Sequence, residues 1–310
     1  MLVSFAVYIL CFIVAVIVVK IIAKYNKMLG IVGVDINKNN QPKLPESAGI
    51  ALLIPLWAVT LLEFLQTGNT SFLAWATMVS GFSIIGFADD TKHKFAARTL
   101  PWKLRAALIA TISILFAFFF FENNIMMVVL ASLYLAGLAS FENTFAGLNG
   151  WEIGSGFIIS LFFALVLYDS PYFMLAVALN ASILGLLVFN AYPAKVFPGD
   201  SGTLLIGSAL AGLIIMTQNF FLMVVTFLFF IPHMLDFAIK IITNPKDLSQ
   251  QKEKPYVLNN RNELEIPKSK KLDFAKFLIL LFGPKKEFVL VAIIWTIVAF
   301  NCLLWYLLLL

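Results

Sequence analysis

The sequence predicts an all-α, polytopic membrane protein, and three features carry that prediction. Of 310 residues, 61% are hydrophobic and 13% charged, with a mean hydropathy of +0.93; soluble domains run to about 45–50% apolar and about 25% charged. The apolar residues, 31 Phe among them, fall in runs long enough to cross a bilayer, which takes about 20 helical residues and tolerates about 17 to 25. The Lys and Arg residues, 22 in all, are confined to alternate connections between those runs. No water-soluble core of this length has room for so much apolar surface.

Ten runs qualify. The first, 2–19, carries its cations after the apolar stretch, the reverse of a cleaved signal peptide, so it is expected to stay as a membrane helix. The second, 48–65, follows PESAG and ends at TGNT; the third, 71–87, ends on Asp89 and Asp90. The fourth, 104–121, follows a basic WKLR and ends at ENN, and the fifth, 125–141, runs into ENTFAGLNG. The sixth, 153–167, is short and ends at DSP; the seventh is 172–189; the eighth, 204–216, is again short and follows FPGDSG. The ninth, 220–242, starts after TQN, and the tenth, 288–310, follows LFGPKKE. Cys11 and Cys302 lie inside apolar runs and read as small buried hydrophobes.

The connections TGNT, ENN, DSP and TQN contain no Lys or Arg, whereas 20–47, 88–105, 191–202 and 240–287 contain all of them. Under the positive-inside rule the second set is cytoplasmic, and an even helix count puts both termini outside. The net charge of +5 is therefore a topology signal, and nucleic acid is not an expected partner. The chain reads as one domain, 1–310, whose largest soluble piece is the loop 244–286 with an interfacial helix in LDFAKFLILLFG.

Carboxylates are expensive in a membrane helix, about 2.5–3.5 kcal/mol at its centre and less at its ends. Four segments nevertheless bring acids, amides, lysines and glycines to one face: VDINKNNQPKLPESAG, FADDTKHKFAARTLPWKLR, ENTFAGLNGWEIGSG and YPAKVFPGDSGT. Such a set suits a metal-bound phosphate site. Magnesium takes oxygen ligands, one or two carboxylates with phosphates and water, for which Asp200 and Asn143 are candidates; manganese is the alternative ion. Gly199 and Gly202 would let the backbone approach an anion, and Thr203 would begin a helix whose N-terminus favours negative charge. Gly147 and Gly150 flank Asn149, whose amide can donate and accept against a uracil edge. Lys103 suits phosphate neutralisation. His233 and Asp236, one turn apart, are expected to form a buried polar pair. A secondary transporter for an anionic solute is the rival class, but it would bury charges near the midplane, often in repeated halves.

As an ordered set, DINK with PES, GFADD with a downstream WK, N-x-x-AG-x-NG-x-E, VF-x-GD and LFGP resemble the polyprenyl-phosphate N-acetylhexosamine-1-phosphate transferase family, most closely its dolichyl-phosphate branch. The resemblance implies a ten-helix fold with a cytoplasmic site. It also implies transfer of a sugar-1-phosphate, here GlcNAc-1-phosphate, from UDP-GlcNAc to a polyprenyl (dolichyl-type) phosphate, releasing UMP and opening lipid-linked glycan assembly. Other UDP-HexNAc donors and undecaprenyl phosphate are the alternatives. By resemblance Asn143 and Asp200 hold magnesium, Lys103 contacts the phosphates, and Asp89 and Asp90 sit at the catalytic centre, either orienting cation and lysine or assisting acceptor deprotonation. The Ile36 backbone, Gly147, Asn149 and Phe197 match the uridine pocket, with Glu46 facing the ribose or stabilising that pocket. Lys252 and Lys254 in QKEKPYVLN stand where relatives carry a basic, histidine-containing sugar motif; this stretch has no His. His93 is either a phosphate contact or a solvated loop residue. An archaeal plasma membrane is the expected location, the ER membrane if the source is eukaryotic, and a homodimer is left open.

Overall fold

The computed structural model describes residues 2–95, 101–243, 255–267 and 271–310, with only the backbone of 92–95. Twelve α-helices make up almost all of it: α1 (Leu2–Met28), α2 (Leu53–Thr67), α3 (Ser71–Phe95), α4 (Trp102–Phe121), α5 (Ile125–Thr144), α6 (Trp151–Val166), α7 (Phe173–Asn190), α8 (Gly199–Met216), α9 (Phe220–Leu228), α10 (Ile231–Thr243), α11 (Phe274–Phe282) and α12 (Glu287–Leu309). A 3-10 turn, Ala48–Leu52, leads into α2. The only strands among the described residues form two antiparallel hairpins, β1 (Val32–Val34) with β2 (Lys43–Pro45) and β3 (Val257–Leu258) with β4 (Leu264–Glu265). Val32 pairs with Pro45, and Val257 with Glu265.

The chain is an integral membrane protein; its described residues hold eight helices long and apolar enough to cross a bilayer, nine if the bent pair α9–α10 is one span. The expected ten differ from this at two places. The run 220–242 is broken between α9 and α10 with a bend of 61°, because Pro232 has no N–H to give and its ring collides with the carbonyl of Leu228. Asn301 of α12 answers the exposed carbonyls, donating its amide to Leu228 O and Phe229 O at 3.0 Å each. The expected sixth span is α6, whose 16 residues reach about 24 Å at about 1.5 Å per residue, short of a bilayer core about 30 Å thick.

The core is organised around α8, in which every residue from Ser201 to Met216 is buried. Lipid offers no hydrophobic drive for helices to associate, so close approach through small residues holds them together. A Cβ on Gly86 of α3 would strike the backbone of Asp200; one on Gly207 would strike Leu138 O and Ala139 of α5. Gly49 and Gly202 meet backbone to backbone. Two side chains lock α3 to α8: Trp75 Nε1 donates to Ala209 O (3.0 Å) and Ser83 Oγ to Ser201 O (3.0 Å). Around this centre α1 packs on α7, with Gly185 against Ala15, and α12 packs on α6, with Gly154 against Trp295. The packing brings described parts of the connections together: Ser47, Asp90 and Asp200 meet, and Lys38 bonds Glu287.

Candidate active site

Helix α8 begins at Gly199, within FPGDSG, four residues before the expected start at Thr203. Its first N–H groups do not wait for a substrate anion. The Asp90 carboxylate, from the end of α3, accepts from Asp200 N (3.0 Å), Ser201 N (3.3 Å) and Ser47 Oγ (2.5 Å). A carboxylate at a helix N-terminus satisfies otherwise unpaired donors and complements the helix dipole. Gly199, at φ 67°, has no room for a Cβ against Asp90 and Ser47. The glycines of this motif thus serve the contact of α8 with α3 and the 3-10 turn, correcting the expectation that they cradle an anion.

The adjacent Asp89 faces a different partner. Arg105 Nη1, on the first turns of α4, lies 2.6 Å from Asp89 Oδ2 and 2.6 Å from Asp200 Oδ2. Hydrogen bonding orients the Asn143 amide with its nitrogen donating to Asp200 Oδ1 (3.0 Å) and Thr203 Oγ1 (2.5 Å) and its oxygen accepting from Arg105 Nη2 (2.7 Å). Oxygens of Asp89, Asp200 and Asn143 therefore surround one guanidinium, and the two carboxylates lie no further apart than twice their distance to it. All are partly exposed. Two carboxylates against one guanidinium leave the group net negative. Lys103 stands outside it: two residues from Arg105, where helical side chains do not face each other, it is exposed, its Nζ 5.8 Å from the Trp102 ring. Arg105 is the residue that sequence reasoning missed here. Its signal was helical phase, since Lys103 and Arg105, both at the start of α4, point to opposite sides of the helix.

Next to this cluster is a cavity of about 330 Å³ lined by Ile36, Gly147, Asn149 and Phe197, the four expected for uridine, together with Asp35, Asn37, Glu152, Asn190, Tyr256 and Asp273. Glu46 adjoins it: a Cβ on Gly33 would lie 2.9 Å from the Phe197 ring and 3.3 Å from Glu46 Oε1. Phe197 is held by strand-like bonds, Phe197 N to Pro45 O (2.8 Å) and Ala48 N to Phe197 O (3.1 Å). A closed ring of polar groups, all buried but the half-buried Lys38, fixes the Asn149 turn. Asn149 Nδ2 donates to Asp35 Oδ2 (3.0 Å) and its backbone N to Glu287 Oε1 (2.9 Å); Lys38 bonds Glu287 Oε2 and lies 3.3 Å from Asp35. Asn37 Nδ2 donates to Gly147 O at 3.0 Å. Glu287 was not foreseen, because only the folded chain brings α12 to this turn. On the far wall Tyr256 donates to Asp273 Oδ1 (2.8 Å); burial and that carboxylate push its phenol well above the usual range, so it stays protonated. Lys252 and Lys254 lie outside the described residues, as does the side chain of His93.

Behind the site, His233 pairs with Glu142, Nε2 to Oε2 at 3.2 Å, both fully buried, and the ring stacks on Phe145 with centroids 3.9 Å apart. Asp236 instead accepts from Phe274 N (2.8 Å) and meets Lys240 Nζ (2.7 Å). The expected His233–Asp236 pair is therefore not formed: each residue has its partner on another element or further along α10. Lys240 also donates to Thr144 O (2.5 Å), tying α10 to the turn that leads to Gly147.

Two comparisons place this arrangement. Residues 72–218 match Glycosyl transferase family 4. A provisionally named glycosyltransferase of Methanocaldococcus jannaschii is 32% identical over 278 residues, 86% of this chain and 83% of that protein. The chain belongs to glycosyl transferase family 4. Phospho-N-acetylmuramoyl-pentapeptide-transferases are also similar: that of Anoxybacillus flavithermus is 28% identical over 234 residues, 66% of this chain and 72% of the relative, and that of Bacillus mycoides 30% over 234 residues, again 66% and 72%. In this family, of polyprenyl-phosphate hexosamine-1-phosphate transferases, the substrates are a nucleotide sugar and a polyprenyl phosphate lipid. Membership makes the chain a phosphosugar transferase and removes the transporter as a rival.

Proposed function

We propose that the chain transfers GlcNAc-1-phosphate from UDP-GlcNAc to a dolichyl-type polyprenyl phosphate, releasing UMP, at a site on the cytoplasmic side of the membrane. One observation carries the reading. The segments Asn143 to Asn149 and Phe197 to Asp200 each give one residue to the negatively charged cluster and another to the adjoining cavity. A nucleoside in the cavity therefore lays its diphosphate across the cluster. The choice of GlcNAc and dolichol rests on the likeness of the PES and AGLNG segments to the dolichyl branch.

The cluster suits magnesium by its donors: carboxylates of Asp200 and Asp89 and the amide oxygen of Asn143 are hard ligands with a net negative charge. When bound there, the ion supplies charge neutralisation for the diphosphate. The protein's own groups do the rest. Arg105 is a fork of donors that moves between carboxylate and phosphate partners. Asp90 is committed to α8 and acts by holding Asp200 in place. The acceptor's route is an apolar groove of about 640 Å³ between α4, α5 and α10, lined by Ile109, Ala136 and Phe237 and ending on Arg105 and Asn143. A lipid with its chain in the apolar part has its phosphate at the cluster in this reading. A phosphate monoester, with a second pKa of about 6, is already largely dianionic at neutral pH and attacks the sugar-bearing phosphorus in line without a base. Catalysis is then positioning and charge neutralisation.

The test is a donor panel. Purified protein with magnesium and a short polyprenyl phosphate should release UMP from UDP-GlcNAc faster than from UDP-GalNAc, UDP-glucose or UDP-N-acetylmuramoyl-pentapeptide. Faster release from the pentapeptide donor would overturn the assignment of the sugar. Asp200→Ala should lower turnover at least about 10²–10³-fold, the scale of losing one electrostatic stabiliser; wild-type turnover in that variant contradicts the role given to the cluster.

A further inference from the structure

A second cavity, of about 360 Å³, adjoins the nucleotide cavity through Asn37, where the two hairpins meet the foot of α12. Its chemistry is different. Among the described residues three cations line it, Lys38, Arg261 and Lys286, with four asparagines and a single acid, Glu287. Glu287 is already spent, one oxygen on Asn149 N and the other on Lys38, and Lys38 is shared with Asp35. Among the described residues Arg261 and Lys286 have no acidic partner, so the cavity carries two uncompensated positive charges. The asparagine amides add neutral donors.

Its depth says what kind of anion fits. Lys286 is the N-cap of α12, a spanning helix, so the cavity sits at the membrane surface. The rings of Tyr192 and Phe288, centroids 6.0 Å apart and both exposed, stand at its mouth, as aromatic side chains do at headgroup level. We propose that this cavity binds the phosphate headgroup of an anionic phospholipid, with Arg261 and Lys286 as its counter-charges and Tyr192 and Phe288 against the start of the acyl chains. Basic pockets beside spanning helices on the cation-rich side are suited to such headgroups. The inference rests on this cavity alone and stands whether or not the transferase reading holds in detail. It also gives Lys38 two tasks, since the residue that clamps the Asn149 turn lines the lipid cavity.

The experiment uses the full chain in detergent, offered phosphatidylglycerol or phosphatidylcholine and observed by native mass spectrometry. Wild type should retain phosphatidylglycerol at least about tenfold better than phosphatidylcholine, and R261E with K286E should abolish that preference while eluting as a single species. The control K24E with K27E removes equal charge from α1, where both residues are exposed, and should keep it. No preference in wild type, an unchanged preference in R261E/K286E, or equal loss in the α1 control overturns the site. Displacement of phosphatidylglycerol by millimolar inorganic phosphate overturns the lipid assignment in favour of a soluble anion.

Discussion

Asp89 and Asp90 are neighbours at the end of α3 whose carboxylates do different work. Asp90 accepts two backbone N–H groups of α8 and the Ser47 hydroxyl, whereas Asp89 meets the Arg105 guanidinium. Asp90→Ala removes a helix cap and leaves donors unpaired, an effect of about 0.5–2 kcal/mol for a cap and more if water cannot replace it. Thermal unfolding in detergent should therefore fall clearly for Asp90→Ala and hardly for Asp89→Ala, while the initial rate of UMP release collapses for both. Equal stability of the two variants would mean Asp90 is no cap. For Arg105→Lys the charge survives and the planar fork does not. We expect turnover to drop about tenfold or more with nucleotide affinity little changed, as measured by kcat and by UMP binding separately; a normal kcat would show that Lys suffices.

At the scale of elements, glycines decide how closely helices approach. Gly86 and Gly137 both lie in spanning helices, yet a Cβ on Gly86 runs into the Asp200 backbone while one on Gly137 meets only the Phe141 ring at 3.9 Å. Gly86→Ala should force α3 off α8 and abolish monodisperse protein, whereas Gly137→Ala should be neutral or stabilising by up to about 1 kcal/mol through helix propensity. Size-exclusion profiles and melting curves of the pair read this directly; tolerance of Gly86→Ala would refute the tight α3–α8 contact. The break between α9 and α10 has its own support. Replacing Asn301 by Leu strands the carbonyls of Leu228 and Phe229, a loss of about 1–3 kcal/mol by the cost of an unmet buried acceptor. An unchanged melting curve for Asn301→Leu would show those carbonyls are satisfied otherwise.

Across the whole molecule, the helices were legible because hydrophobic length and cation placement are what a bilayer reads from a sequence. The four residues that the ordered motifs assign to uridine line one cavity. Other features were hidden for physical reasons. The first turn of α8 is GDSG, which reads as loop because its donors are capped from α3, a partner distant in sequence. Pro232 breaks the ninth run without lowering its hydropathy. Which of Lys103 and Arg105 faces the cluster is set by helical phase, and Glu287 reaches Asn149 across 138 residues of chain. If the cation-bearing connections share one side, single cysteines at 68, 123, 170 and 218 should react with an impermeant thiol reagent from outside intact cells and cysteines at 40 and 193 should not; mixed labelling would refute that topology. The central claim is that the nucleotide's diphosphate lies across the Asp89–Asp200–Asn143 cluster and is cut between its two phosphorus atoms. The most direct measurement gives the enzyme UDP-GlcNAc labelled at the β-phosphorus with a polyprenyl phosphate and follows the label: it should pass into the lipid with unlabelled UMP left in water, and label remaining in water-soluble UDP while sugar enters the lipid would contradict the account.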